Sequence, residues 1–466
     1  MKIHPIKSLF QLLLFVSHLV LFAGCAAKTA QKEPAKDLYF QPVRTTAPLI
    51  SIHFIDRNAM SETITAKERL KTYQHVDFLS AQAYQKVLRV FEKDKDGSSL
   101  SLITSYHANG QLKQYLEVLN GRANGIYSEW HINGLKKLVA KVVAGAADID
   151  EKSQLTWSFD GTSYAWNEEG QLITEIPYEK GELHGVARYF YGQNLQGLSA
   201  PKLLSQEIPY TKGEIDGTLR RFTPEGAVLE ESHFTGGVAT GVSRGFWTKD
   251  QPQWDEKYTN GLLEEGSYFA KDGRPLCHIN QGRGKKAIFT ETGALELHEY
   301  IDGIPEGLVQ IHDDSGHLTS SYCIKNGLKH GEEIIYYPQK PFATLTGDGK
   351  VVQKLSAKLS IVWYEGKIHG TSKSWYDNGA QESQKEMVDN KKHGMLTVWY
   401  RDKSLMLMEE YEKDKLVRGE YHKKDESSPI SKVAAGKGIA TLFDSEGHFS
   451  KKIRYAEGKP LDDHLQ

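Results

Sequence analysis

Several groups of residues in this 466-residue chain have types and spacings that invite chemistry. Gly241-Val-Ser243-Arg-Gly245 matches the G-x-S-x-G pattern of a nucleophile elbow, which needs a strand, a strained turn and a helix. His184, His330, His369 and His393 each stand immediately before a glycine, a row of the kind that binds metal. Lys93-Asp-Lys-Asp-Gly97 opens like a calcium loop. Each is expected to fail. Ser243 occupies a slot that Leu219, Ser372 and Leu396 take elsewhere, and the histidine slot is also filled by Asn124, Asp216 and Glu306. Equivalent positions two strands apart lie roughly 10 Å from one another, too far to share a metal ion. Aligning Gly97 with the loop glycine puts Ile103 where calcium needs a bidentate glutamate. Gly282-Arg-Gly-Lys285-Lys286 is glycine-rich and basic but lacks the Ser or Thr of a phosphate loop. Cys277 and Cys323 are expected to be free thiols, because two units of sheet, roughly 19 Å, separate them. The residues therefore offer no catalytic group, no metal site and no cofactor.

The cysteine with a visible chemistry is Cys25. Lys2 and Lys7 precede an apolar run from about Leu9 to Phe22, which ends in Leu21-Phe22-Ala23-Gly24-Cys25. That is the order of a secretory signal, and the run is too short for a comfortable membrane span of roughly 20 residues. The cleavage site resembles the lipobox of bacterial lipoproteins, with one departure: Phe22 stands where the family usually has Leu. The resemblance implies a diacylglycerol thioether on Cys25, acyl chains such as palmitate, and export to a bacterial membrane, the outer one in a diderm. Each buried methylene of such an anchor is worth about 0.8 kcal/mol. Residues 26–48 are polar and lack periodicity, as a flexible tether does. The formal net charge of −2 spread without single-sign runs argues against nucleic acid, which needs a basic face.

Beyond the tether a glycine-punctuated pattern recurs almost to the C-terminus. Its first glycines fall at 213, 237, 261, 282, 303, 327 and 366, with Asn390 and Lys415 in the same slot later. Gly-x-x-x-Gly among charged residues marks one turn, and Asn109-Gly110, Asn133-Gly134 and Asn378-Gly379 mark a second, where the type I′ geometry is expected. Trp130, Phe190, Phe222, Phe246, Tyr336, Trp375, Trp399 and Phe443 each lie five residues after a second glycine. Tyr178, Tyr210, Phe234, Tyr258, Tyr300 and Tyr455 each lie three residues before a first glycine. Fixed offsets from fixed turns build ladders along a sheet face, and these ladders read as core. Tyr191, Trp247, Tyr337, Tyr376 and Tyr400 follow the first ladder by one residue. In regular strands they point the other way, which makes them the candidate partner-binding aromatics; if the sheet folds over itself, both rows are core.

The pattern Tyr-x-Asn/Lys/Asp-Gly-x-x-x-Gly-x-x-x-x-aromatic, closed by Asn-Gly or Glu-Gly, resembles the variant MORN-repeat family of bacterial proteins. The likeness runs from about Tyr106 to Tyr455 and implies hairpins paired into a long sheet that serves as an interaction module. The expected fold is all-β: an elongated array of about twelve antiparallel β-hairpin repeats forming a long twisted sheet. The expected division is a signal peptide at 1–24, a lipid anchor and tether at 25–48, a β-rich N-terminal cap at 49–102 and the repeat array at 103–466. Within the cap, Tyr84, Val87, Leu88 and Phe91 fit either a helical stripe or strand faces. Insertions near 138–157, 192–205, 338–361 and 421–437 interrupt the array. The function that fits is a non-enzymatic, lipid-anchored envelope protein presenting its array to a protein or glycan partner. The alternatives are an antitoxin-like inhibitor, for which some members of that family carry a label, and a hydrolase with its site in an insertion.

Overall fold

The computed structural model describes residues 41–461 apart from 44, 193–202, 291–292, 339–343, 346–350 and 353–354. The leader, Cys25 and most of the tether lie outside the described residues. The described chain is all-β, with only the short helices Lys67–Tyr73 and Glu151–Gln154 among its strands. It divides into two compact units, one ending at Gly261 and the other beginning at Leu262. Within each unit, strands pair antiparallel with their neighbours in sequence, and among the described residues no pairing closes the sheet on itself.

One repeat shows why these residues make hairpins. Strand Leu204–Thr211 turns at Lys212 and Gly213, whose φ values are 50° and 82°. Two successive positive φ angles in a two-residue loop make a type I′ turn, whose twist matches that of the strands it joins. Glu214–Ile215 starts back, Asp216 donates its N–H to the Pro209 carbonyl (3.0 Å), and strand Gly217–Phe222 follows. The far turn is different. Thr223 donates to the Ala227 carbonyl (2.7 Å), Gly226 donates back to Thr223 (2.9 Å), and only Gly226, at 85°, has positive φ. That is a type I turn closed by a glycine bulge.

The type I′ turns are therefore at the Gly-x-x-x-Gly edge, Asn120-Gly121, Asn260-Gly261 and Asn326-Gly327 among them, which corrects the expectation that placed them at Asn109-Gly110, Asn133-Gly134 and Asn378-Gly379. At Asn378-Gly379 only the glycine has positive φ. Asn378 instead accepts the Ala380 N–H on its side-chain oxygen (2.9 Å), so asparagine serves there as a local acceptor. A smaller correction concerns the last slots: the positive-φ pair is Lys413 and Asp414, so Asp414, not Lys415, is the glycine equivalent.

Repeats are stitched along both edges. At the type I′ edge the second turn residue donates its N–H to the preceding repeat: Gly213 to Leu183 (2.8 Å) and Gly237 to Ile215 (2.8 Å) in the first unit, Asp414 to Lys392 (2.9 Å) in the second. These bonds satisfy turn amides that the ladder leaves unpaired.

Core covers both faces of the sheet where the array begins: Leu102 and Ile103, neighbours in strand Leu100–Tyr106 and so on opposite faces, belong to different buried clusters. At the N-terminal end Leu49, Ile52, Phe54, Val87 and Leu70 of the first helix form a cluster with Phe78. Tyr84 packs against this cluster, and Val87, Leu88 and Phe91 belong to strand Lys86–Phe91, which settles the earlier ambiguity in favour of strand. The cluster reaches on to Tyr106 and Leu112, because strand Leu100–Tyr106 pairs both back to Lys86–Phe91 and forward to Leu112–Leu119. The insertion after Ala144 folds down onto the next cluster. Trp157 meets Tyr127 edge-on, centroids 4.7 Å apart, and donates its indole N–H to the Ala146 carbonyl (2.9 Å). Farther along, Tyr178, Tyr210 and Phe234 pack on buried Ile176, Ile208 and Leu219. In the second unit Leu407, Tyr411, Leu416, Tyr421 and Val433 form the corresponding cluster.

Candidate functional site

Of the five candidate aromatics, Tyr191, Tyr337, Tyr376 and Tyr400 each follow the last residue of a strand, and Trp247 is the next-to-last residue of strand Gly241–Thr248. Each pairing shifts register at the aromatic just before them, for example between Tyr189 and Phe190, Ser374 and Trp375, or Val398 and Trp399. The bulge breaks the alternation on which the outward-facing reading rests. Tyr376 donates its N–H to the Ala380 carbonyl (2.9 Å) and Tyr400 to the Ser404 carbonyl (2.8 Å), so both are first residues of turns.

Their hydroxyls have a shared task. Tyr376 donates to the Trp399 carbonyl (2.8 Å) and Tyr400 to the His422 carbonyl (2.8 Å), in each case one residue before the next turn begins. Tyr337 reaches the Trp375 carbonyl (2.7 Å) and Tyr191 the Phe222 carbonyl (2.6 Å) in the same way. Near the N-terminus imidazoles take over: His107 contacts the Trp130 carbonyl (2.8 Å) and His131 the Trp166 carbonyl (2.9 Å). This row is the stitch along the second edge. Tyr400 is 0% and Tyr376 5% exposed, so these two build the hairpin ends and do not offer a partner surface. Tyr191, Trp247 and Tyr337 are half-buried.

The other motifs resolve into turn and strand positions. Ser243 lies in strand Gly241–Thr248, buried, its oxygen accepting the His233 N–H (3.4 Å). Asp94 accepts the Asp96 and Ser98 amides (3.0 and 2.9 Å), closing the Gly97 turn on itself. Gly282-Arg-Gly-Lys-Lys286 is a type I′ turn and the strand after it, with Arg283 paired to Asp302 (3.0 Å). His184 approaches Glu179 (3.6 Å) and His369 approaches Asp389 (3.7 Å). Among the described residues no group of three His, Cys, Asp or Glu is placed to hold a metal ion. Cys277 and Cys323 are free, and burial pushes the Cys277 thiol up to about 11.

Two features escaped the sequence reading. On the outer face of the first unit, Glu175, Arg188, Glu207, Arg220, Glu231, Arg244 and Asp255 stand opposite one another in successive strand pairings. Arg188 meets Glu207 at 3.1 Å, Arg220 meets Glu231 at 2.8 Å and Arg244 meets Asp255 at 3.2 Å. The arginines stand three residues after glycines 185, 217 and 241, a spacing that would have revealed the ladder. Alternating charge across a sheet is favourable, although each partly exposed pair contributes about 1 kcal/mol or less.

The second feature is a carboxylate cap at the type I′ edge. Glu117 accepts the Ile126 N–H (2.8 Å), Glu299 the Leu308 N–H (2.8 Å) and Glu386 the Met395 N–H (3.2 Å). Each acid lies eight residues before a repeat glycine, and a Cβ on Gly125, Gly307 or Gly394 would run into it. Glu117 also accepts the Val43 N–H (3.0 Å), so the incoming chain is fastened to the sheet at that point.

No family model and no curated protein matches the sequence. Among solved structures, the crystal structure of a porin-like protein from Bacteroides uniformis is similar at 10% identity, covering 65% of this chain and 94% of that one, with a TM-score of 0.11. A score that low bears on neither fold nor function. Among the described residues no helix is long and apolar enough to cross a membrane.

Proposed function

We propose that the protein is a lipoprotein of a bacterial cell envelope, of the variant MORN-repeat kind, that presents its repeat surface to a protein or glycan partner. The observation that carries this reading is the run Leu21-Phe22-Ala23-Gly24-Cys25 behind a basic and apolar leader. The stretch from Cys25 to the fastening at Val43, free of large apolar residues as far as Asp37, supports it, since it would space the array from a lipid on Cys25. Partner contact falls to the outer face, where the charge ladder of the first unit favours a polar partner whose own charges alternate, and to the half-buried Tyr191, Trp247 and Tyr337. The test is the intact mass of protein extracted from membranes. Loss of residues 1–24 with added acyl mass supports the reading, and a Cys25→Ser variant should then stay unacylated. A wild-type chain that keeps its leader overturns it.

A further inference from the structure

An asparagine followed by glycine is open to attack by the glycine's backbone nitrogen on the asparagine side chain, because glycine has no Cβ to obstruct the approach. Asn-Gly stands at 109, 120, 124, 133, 260, 326 and 378. The fold protects these sites unequally. At Asn109, Asn133 and Asn378 the glycine amide donates into its own turn, to the His107, His131 and Tyr376 carbonyls (each 2.9 Å). The side-chain oxygens there accept the Gln111, Leu135 and Ala380 amides (3.1, 3.0 and 2.9 Å), and the side-chain nitrogens reach the Ile132, Glu168 and Arg401 carbonyls. Asn124 lies within strand Arg122–Trp130, which is paired on both sides. Asn260 is exposed, but Gly261 donates to the Ala239 carbonyl (2.9 Å). Asn120 is held the other way, its side-chain oxygen accepting the Ser99 amide (2.9 Å).

Asn326-Gly327 has neither tie. Both residues are exposed, and among the described residues the Asn326 side chain makes no hydrogen bond and the Gly327 amide has no acceptor. The turns on either side are fastened: Gly303 donates to the Gly282 carbonyl and Gly366 to the Lys329 carbonyl (each 2.9 Å). Only the Asn326 main-chain amide is engaged, by the Glu306 carboxylate (2.9 Å).

We propose that Asn326 is the site at which this chain spontaneously deamidates and forms isoaspartate. The Gly327 nitrogen attacks the side-chain carbonyl carbon of Asn326. A C–N bond forms, the bond to the side-chain nitrogen breaks, and that nitrogen leaves as ammonia with the proton that Gly327 gives up. Water then opens the cyclic imide, at the side-chain carbonyl to give aspartate or at the main-chain carbonyl to give isoaspartate. Water is the one co-reactant. Ring closure needs Asn326 to rotate out of its type I′ conformation (φ 52°), so the rate follows the open population of that turn. Each hydrogen bond that must break first lowers this population by about fivefold, and that orders the sites. Either product changes the edge. A new carboxylate joins that of Glu306, and isoaspartate adds a methylene to the two-residue loop that closes Lys325 on Leu328.

The test is a time course of peptide maps on the purified protein at pH 8, beside a sample kept in urea. Mass spectrometry reads the amide-to-acid change, and labelling with an isoaspartate methyltransferase reads the isomer. In the folded protein Asn326 should convert about fivefold faster than Asn120 or Asn260, and faster still than the other four. In urea the rates should draw together, since no turn then protects its asparagine. Asn326→Lys should remove the fast phase of ammonia release and leave the circular dichroism unchanged, because Lys180 and Lys212 hold the same turn position with φ of 50°. Another asparagine converting first in the folded protein overturns the proposal, as does an Asn326 that stays intact while the urea sample is modified. A lead that Asn326 keeps undiminished in urea overturns it as well, because sequence and not the fold would then select the site.

Discussion

At the scale of the residue, one hydrogen bond repeated along an edge explains why tyrosine recurs after the aromatic ladder. Tyr400 is buried, and its hydroxyl is the donor to the His422 carbonyl. Tyr400→Phe keeps the ring and leaves that carbonyl without its donor, so urea denaturation should show a loss of about 1–2 kcal/mol. The same change at exposed Tyr364 should cost nothing measurable. Titration follows from burial in the same way. Burial holds the Tyr106 and Tyr178 hydroxyls up at about 12. Both pKa values are raised in the folded state, so their contribution is complete below about pH 10 and is lost as pH climbs toward 12. Denaturant midpoints that fall across that window are the expected outcome. Cys277 obeys the same rule: with its thiol at about 11, it should react slowly with a disulfide reagent at pH 8 and faster as pH rises above 10.

At the scale of the element, two turn types alternate and the glycines differ accordingly. Gly307 lies against the Glu299 carboxylate, whereas nothing lies within 4 Å of a Cβ at Gly316. Both have positive φ, so both Gly→Ala changes carry strain of about 1 kcal/mol. Gly307→Ala should cost at least twice as much as Gly316→Ala in thermal or denaturant unfolding, because it also displaces the cap on Leu308. For the charge ladder, Arg220→Glu faces Glu207 and Glu231 with a like charge and should lower stability at low salt, and Arg220→Gln should lower it less. High salt should shrink both effects.

The repeats were legible because glycine recurs at most of the second positions of the type I′ turns and in the far turns, where the backbone goes to positive φ, and their spacing follows from hairpin length. Turn type was not legible, because Asn-Gly stands in both kinds of turn, type I′ at Asn120, Asn260 and Asn326 but not at Asn378, and because Lys212, Asp302 and Glu365 also accept positive φ before glycine. The aromatic row was legible as a period, but its role was not, since a bulge at the strand end cancels the two-residue alternation. The carboxylate caps and the charge ladder had fixed offsets from the glycines, yet acids and arginines in a chain this rich in charge carry little contrast until the strands are paired.

At the scale of the whole molecule, each hairpin is too small to bury its own face, so the units hold together through neighbouring repeats and the stitches at both edges. The proposed lipid anchor at Cys25 would give such an array its place at a membrane. The most direct measurement is crosslinking in living cells followed by pull-down of the wild-type protein, with Cys25→Ser as the unanchored control. Recovery of a defined envelope protein or glycan with the anchored form alone is the result expected of a lipid-tethered interaction surface. Recovery of the same cytoplasmic partner with both forms would contradict the anchored reading and favour the inhibitor alternative.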